Sequence, residues 1–182
     1  MHEHAKVIAG GIEGKDVCNI GFGLGLIDGE LQQLKPRSHT IIEAHPDVHA
    51  RIIAEGWHER PGVTVIFARW QDVLMDIGPF DGLFYDTYAE SYIDLRSITP
   101  LLSIVLRPQG IFSFFNGLAP FNHFYYDVYC RIAEEDLKDG GWKVSYTTLQ
   151  VAQLGDEVWQ GLRRKYWALD MYRLPRVTRL LR

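Results

Sequence analysis

Short apolar runs alternate with amphipathic stretches along most of the chain. Residues 16–20 (DVCNI) read as a brief buried strand, and 24–34 (LGLIDGELQQL) repeat apolar positions at helical spacing. The pair recurs as a strand at 39–44 (HTIIEA) and a helix at 46–56 (PDVHARIIAEG), which opens on proline and closes on glycine. Residues 63–68 (VTVIFA) are β-branched and continuous, as in a buried strand. A short helix near 70–77 leads to a fourth strand at 79–86 (PFDGLFYD). A proline-interrupted helix at 92–105 then leads to a fifth strand at 110–116 (GIFSFFN).

The segment 121–141 (FNHFYYDVYCRIAEEDLKDGG) carries the clearest helical period. Phe121, Phe124, Tyr125, Val128, Tyr129, Ile132, Ala133 and Leu137 form its stripe, which is expected in the core rather than as a ligand platform. The pattern then changes, because 142–151 and 164–174 are two strands joined by a loop with no helix between them. Five β–α units predict a parallel sheet covered by helices on both faces, and the closing hairpin predicts an antiparallel pair at one edge. With no internal repeat or linker, residues 1–182 read as one α/β domain.

Composition narrows the function classes. Hydrophobic residues make up 47% of the 182 and charged residues 23%, an ordinary globular balance for a chain able to bury a sizeable core. The net charge of -4 speaks against a generic nucleic-acid binder. The basic end RLPRVTRLLR reads as a solvated chain end, with contact to an acidic partner as the alternative. No apolar run approaches the roughly 20 residues of a membrane span, and the first residues do not resemble a secretory signal. Cys18 and Cys130 read as small buried hydrophobes of an intracellular protein. His45 and His49 lie four apart on one helix without a third ligand, so no metal is expected.

The chemistry starts at VCNIGFGLGLID, residues 17–28. Gly21, Gly23 and Gly25 follow the first strand as G-x-G-x-G, whereas the dinucleotide fingerprint needs its third glycine at the position held by Leu26. Such a turn lets a ligand approach the backbone closely, although glycines also serve plain tight turns. Glu43 ends the second strand 22 positions after Gly21, where a carboxylate can accept both hydroxyls of a ribose; a surface glutamate is the plainer alternative. Trp70 can flank an adenine or serve as packing, and Gln71 or Asp72 can reach the exocyclic amine.

In order and spacing, VCNIGFGLG, IIEAHP, ARWQDV, FDGLFYDTYAES and SFFNG resemble the guanidino-directed, S-adenosylmethionine-dependent methyltransferases. That group includes guanidinoacetate methyltransferase and the fungal type IV enzymes, which methylate the internal (delta) nitrogen of arginine in proteins. NIGFGLG, EAHP and RWQD look closer to the latter. The resemblance covers essentially the whole chain and implies a Rossmann-like class I fold with a seven-stranded, mostly parallel sheet. It also implies that Gly21, Phe22, Gly23, Leu24, Gly25, Leu26 and Ile27 wrap the methionine and ribose of the cofactor. Glu43 would hold the ribose hydroxyls beside Ala44 and His45, with Trp70 and Gln71 at the adenine. Asp86 would close the cofactor site and face the acceptor guanidine, and Asn116 would line the acceptor pocket. The product would be S-adenosylhomocysteine, the partner an arginine-containing protein, and the location the cytoplasm and also the nucleus. Neither membrane nor direct nucleic-acid contact is expected.

Three departures qualify these roles. Asn19 stands where many adenosylmethionine enzymes place an acid, which implies a weaker contact to the methionine amine. Relatives carry, just upstream, a Met-Met-x-Trp-Glu segment whose glutamate is a second guanidine-binding acid. This sequence starts at Met1, which matches either a cofactor-contacting methionine of that segment or an initiator. Glu90 is the one nearby acid in its place, against the plainer reading of a solvated loop residue. A further N-terminal protein-binding region is also expected to be missing, which makes the chain a catalytic-domain fragment. The rival readings are a small-molecule guanidino methyltransferase, a catalytically silent cofactor-binding module and, more remotely, a nicotinamide-dependent oxidoreductase.

Overall fold

A computed structural model describes residues 1–11, 13–87, 92–152, 155–161 and 167–180. A helix that the sequence pattern did not announce comes first, α1 (His2–Ala9). It is followed by β1 (Asp16–Ile20), α2 (Leu26–Gln33), β2 (Ser38–Glu43), α3 (Pro46–Ala54), β3 (Val63–Phe67), α4 (Trp70–Val73) and β4 (Phe80–Tyr85). Then come α5 (Tyr92–Ile98), α6 (Leu102–Val105), β5 (Leu106–Phe114), α7 (His123–Asp139), β6 (Trp142–Gln150) and β7 (Met171–Arg179). The proline interruption expected in 92–105 is a 3-10 turn, Thr99–Leu101, between α5 and α6.

All seven strands join one sheet in the order β3-β2-β1-β4-β5-β7-β6. The first five are parallel, and β7 runs antiparallel between β5 and β6. This is the doubly wound sheet with a closing antiparallel pair that the alternation predicted. Side chains alternate across it with the period of two that a strand imposes. Cys18, Ile20, Leu83 and Tyr85 enter the larger core beneath α5, α6 and α7. Val17 and Phe84 face the opposite cluster with Ala5, Ile8, Ile27 and Leu31 from α1 and α2.

Two expectations fail at the end of the chain. The last strand lies at Met171–Arg179 rather than 164–174, and residues 164–166 fall outside the described residues. The basic end is therefore not a solvated tail. Leu174, Pro175 and Val177 are buried between two strands, while Arg176 and Arg179 are exposed. The stripe expected in the core along α7 is only partly there, at Ala133 and Leu137. Tyr126, Cys130, Ala133 and Leu137 form its buried face, while Phe121, Phe124 at 70%, Tyr125, Val128 and Ile132 are exposed. The helix has apolar residues on both sides, so periodicity alone could not say which side meets the sheet.

Two polar clusters brace the sheet at its ends. At the amino edge, Arg37 forks onto Asp16, and Arg107 bridges Asp16 (2.6 Å) and Asp81 (2.9 Å), which ties β1, β2, β4 and β5. The Arg37 guanidinium holds the Asp16 carboxyl well below the usual carboxylate range, with help from Ser38 and Arg107. On the α1 face, Ser113 Oγ donates to the Pro175 carbonyl (2.6 Å), so His4 Nδ1–H donates to Ser113 (2.8 Å). His4 Nε2 then accepts from Tyr172 Oη (2.8 Å), which itself accepts the Asn116 N–H (2.8 Å). Every member of this chain is satisfied, and it fastens α1 to β5 and β7. Burial, aided by the positive charge of the first amino group, pushes His4 down to about 3.

An imidazole with a depressed value costs stability as pH falls from its ordinary 6.5 toward that value, because the unfolded chain takes up the proton first. Between pH 7 and pH 4, His4 should account for about 3 kcal/mol of lost stability. Urea unfolding across that range checks it: His4→Gln should be less stable at pH 7 and lose less on acidification.

Candidate functional site

The glycine turn sits where the sheet reverses direction, β2 lying on one side of β1 and β4 on the other, as ligand sites of open α/β sheets do. Past the strand ends, the ladder continues through Gly21 N–H to the Ile42 carbonyl and Asp86 N–H to the Ile20 carbonyl, both at 2.9 Å. This brings Gly21 so close to β4 that a Cβ on it would lie 2.0 Å from the Asp86 carbonyl oxygen. Gly21, Gly23 and Gly25 all have positive φ, and Gly25 is the N-cap of α2. The turn is a glycine requirement in fact as well as in pattern.

A cleft of about 720 Å³ opens over the carboxyl ends of β1, β2 and β4. Its walls include Gly21, Gly23, Glu43, Ala44, His45, Trp70, Gln71 and Asp86 from the sequence-derived candidates. Glu43 is 8% exposed, and its two oxygens accept the backbone N–H groups of Phe22 (2.9 Å) and His45 (2.7 Å). A carboxylate oxygen has further lone pairs, so this fixed group can still accept from a diol. His45 Nδ1 accepts from Asp47 N–H and caps α3, and His49 stacks on Phe67 (4.4 Å). Among the described residues no group of three His, Cys, Asp or Glu side chains could hold a metal ion. Trp70 is both wall and packing, with its ring edge-on to Tyr85 (5.9 Å).

Asp86 stands on the opposite wall, just past β4. Burial pushes its carboxyl up to about 6, and the Asp28 charge adds to the rise, while the charge of the first amino group opposes it. That amino group thus lies near the Asp86 side of the cleft, although Met1 is not part of the wall. A half-buried acid with a raised value, facing a nucleoside-sized cleft, is suited to binding a cation and to holding a proton.

The other candidates lie elsewhere. Phe22 packs under the turn against Ile41, Ile52 and Trp57, Ile27 lies in the α1–α2 core, and Leu24 and Leu26 are exposed. Asn116 is buried at the end of β5, where its Nδ2 donates to the Arg173 carbonyl (3.0 Å) and to Cys130 Sγ (3.3 Å). Asp72 is exposed and absent from the wall, and Glu90 lies outside the described residues. Sequence reasoning missed Arg69, Tyr85, Thr87 and Asp94 on the wall. The first three flank residues that were singled out, whereas only the packing of α5 brings Asp94 in.

Gly21→Ala should lower the thermal midpoint by about 6–12 °C, because the new methyl group strikes backbone. Gly23→Ala should cost only about 2–4 °C, because its Cβ would point into open space and only φ is strained. Scanning calorimetry of both variants measures the difference.

Similarities to known proteins agree with this geometry. The chain is 47% identical over 167 residues to protein arginine N-methyltransferase 2 of Eremothecium gossypii and 45% identical over 167 to that of Aspergillus oryzae. The Saccharomyces cerevisiae protein of that name is 42% identical over 168 residues. Each alignment takes in 89% of this chain and 40% of the relative, so the chain spans well under half the length of the curated relatives it matches. Among solved structures, precorrin-6y C5,15-methyltransferase from Geobacter metallireducens superposes with a TM-score of 0.69 at 16% identity. That match covers 98% of this chain and 87% of the other. The N-methyltransferase NodS from Bradyrhizobium japonicum gives 0.65 at 14%, covering 99% and 94%. These likenesses show the class I methyltransferase fold. The profile of the guanidinoacetate N-methyltransferases matches residues 1–138, which include every strand that borders the cleft, and the chain belongs to that family.

Proposed function

We propose that this chain transfers a methyl group from S-adenosylmethionine to arginine in a protein, at the internal delta nitrogen of the guanidine. The observation that carries the proposal is the presence of two carboxylates on one cleft: Glu43, fixed by two backbone donors, and Asp86, held near 6 by burial. The first suits a ribose diol and the second a guanidinium.

The site fits the cofactor. Gly21 leaves no side chain between the turn and β4, Glu43 keeps free lone pairs toward the cleft, and Trp70 and Gln71 line the end suited to a base. When bound, S-adenosylmethionine supplies a methyl group on a sulfonium, an activated leaving group that needs no metal. Asp86 orients the acceptor by accepting paired hydrogen bonds from the guanidinium and draws positive charge away from the attacking nitrogen. The same carboxylate can take up the proton that the nitrogen sheds as the new bond forms. Most of the rate advantage then comes from holding nitrogen and methyl in line. The names of the fungal relatives support a protein acceptor, and the similarity of motifs to type IV enzymes supports the delta position. The family profile, named for a small-molecule acceptor, favours a second reading in which free guanidinoacetate is the substrate.

An acceptor screen separates the two. An arginine-containing protein should be methylated and guanidinoacetate ignored, with acid hydrolysis and mass spectrometry locating the methyl on the delta nitrogen; turnover of guanidinoacetate alone would favour the second reading. The acceptor kcat/KM should fall about tenfold per pH unit below pH 6, because protonated Asp86 no longer pairs with a cation.

Asp86→Asn should lower kcat/KM by at least about a hundredfold. The sign for stability is opposite. A carboxyl raised above its unfolded value penalises the fold once ionised, so the penalty is fully present above about pH 6 and vanishes below its ordinary 3.8. At pH 7.5 the variant should therefore be more stable by about 2 kcal/mol in chemical unfolding.

A further inference from the structure

Behind the glycine turn, on the face covered by α2, polar side chains form a sealed chain of hydrogen bonds. Asn19, Asp28 and His39 are fully buried. Asn19 Nδ2 donates to both Asp28 oxygens (2.9 Å each) and to the Gly21 carbonyl (3.0 Å). His39 Nε2–H donates to Asp28 Oδ1 (3.0 Å), and Gln32 Nε2 donates to His39 Nδ1 (2.9 Å), which fixes the ring tautomer. The chain thus runs from α2 through β2 and back across α2 to β1, and it ends on a carbonyl of the turn.

A buried carboxylate is a poor way to stabilise a core, because desolvation offsets most of its attraction to its partners. Among the described residues Asn19 Oδ1 finds no hydrogen-bond partner, a further cost of keeping this residue here. The rest of the turn has other restraints. Glu43 holds the Phe22 N–H, and Arg51 donates to the carbonyls of Gly23 (3.4 Å) and Leu24 (3.0 Å). Gly21, which is pressed against Asp86, has its N–H on the Ile42 carbonyl, and the buried chain holds its carbonyl. The influence of Asp28 reaches the cleft, where its charge raises Asp86.

We propose that Gln32, His39, Asp28 and Asn19 act as positioning residues that orient the Gly21 carbonyl and place negative charge behind it, creating the subsite for the cofactor's amino-acid end with its ammonium group. This rests on the adenosylmethionine reading of the cleft. The subsite is separate from the nucleoside end, which Glu43 and Trp70 serve on the β2–β3 side. Weakening the chain should therefore affect one half of the ligand.

Calorimetric titration with two ligands tests this. S-adenosylhomocysteine carries the amino-acid end, and 5′-methylthioadenosine keeps the nucleoside and thioether without it. For His39→Leu, the affinity for S-adenosylhomocysteine should fall at least about tenfold, while that for methylthioadenosine stays within about twofold. His39→Gln, whose Nε2 can replace the donor to Asp28, should restore binding to within about threefold. Gln32→Met, at the outer end of the chain of bonds, leaves the buried charge paired. It should show the same ligand selectivity at about a threefold loss, and keeps the test open if His39→Leu does not fold. Equal losses for both ligands, or no loss for either, would overturn the proposal. Failure of the unaltered protein to bind either ligand would instead overturn the cofactor reading on which it rests.

Discussion

The closest constraint in the structure is the contact between Gly21 and the carbonyl of Asp86. Two parallel strands end side by side there with no space for a Cβ between them. The hydrogen bonds that extend the ladder past β1 and β4 set that distance, and they also decide where the two walls of the cleft stand. Glu43 is reached through the turn, because its carboxylate holds the amide of Phe22. Asp86 is reached directly, since its own backbone forms the contact. A wider gap at Gly21 would separate the Glu43 wall of the cleft from the Asp86 wall.

The two edges of the sheet are built for different purposes. At the amino edge, Asp16, Asp81, Arg37 and Arg107 pair their charges among themselves. At the carboxyl edge, the carboxylates of Glu43 and Asp86 keep capacity toward the cleft, and burial holds Asp86 above its ordinary range. Paired ions contribute to rigidity, whereas a partly desolvated acid stores a preference for a cation that has yet to arrive. α1 is fastened to the sheet separately, by the bonds from His4 to Ser113 on β5 and Tyr172 on β7.

Much of this was legible in the chain. The alternation of runs determines the order of β and α elements from β1 to α7, and the missing third glycine argues against a dinucleotide. Glu43, Asp86, Trp70 and Gln71 stand at strand ends, where a parallel sheet presents side chains to a ligand, and the fold brings them to one cleft. Local pattern determines these features, because strand period and turn geometry act over a few residues.

Other features depended on packing across the sheet. Phe22 and Ile27 belong to a glycine motif, yet they turn into the core because the neighbouring helices offer apolar surface there. The face of α7 that meets the sheet, and the burial of the basic C-terminal segment as an inner strand, depend on partners distant in sequence. Asn19 on β1 donates to Asp28 on α2, which also accepts from His39 on β2. The sequence by itself determined the elements from β1 to α7 and the residues at their strand ends. Only the tertiary structure decided which side chains share a buried environment, because burial, hydrogen-bond partners and the shift on Asp86 arise from contacts that no local spacing records.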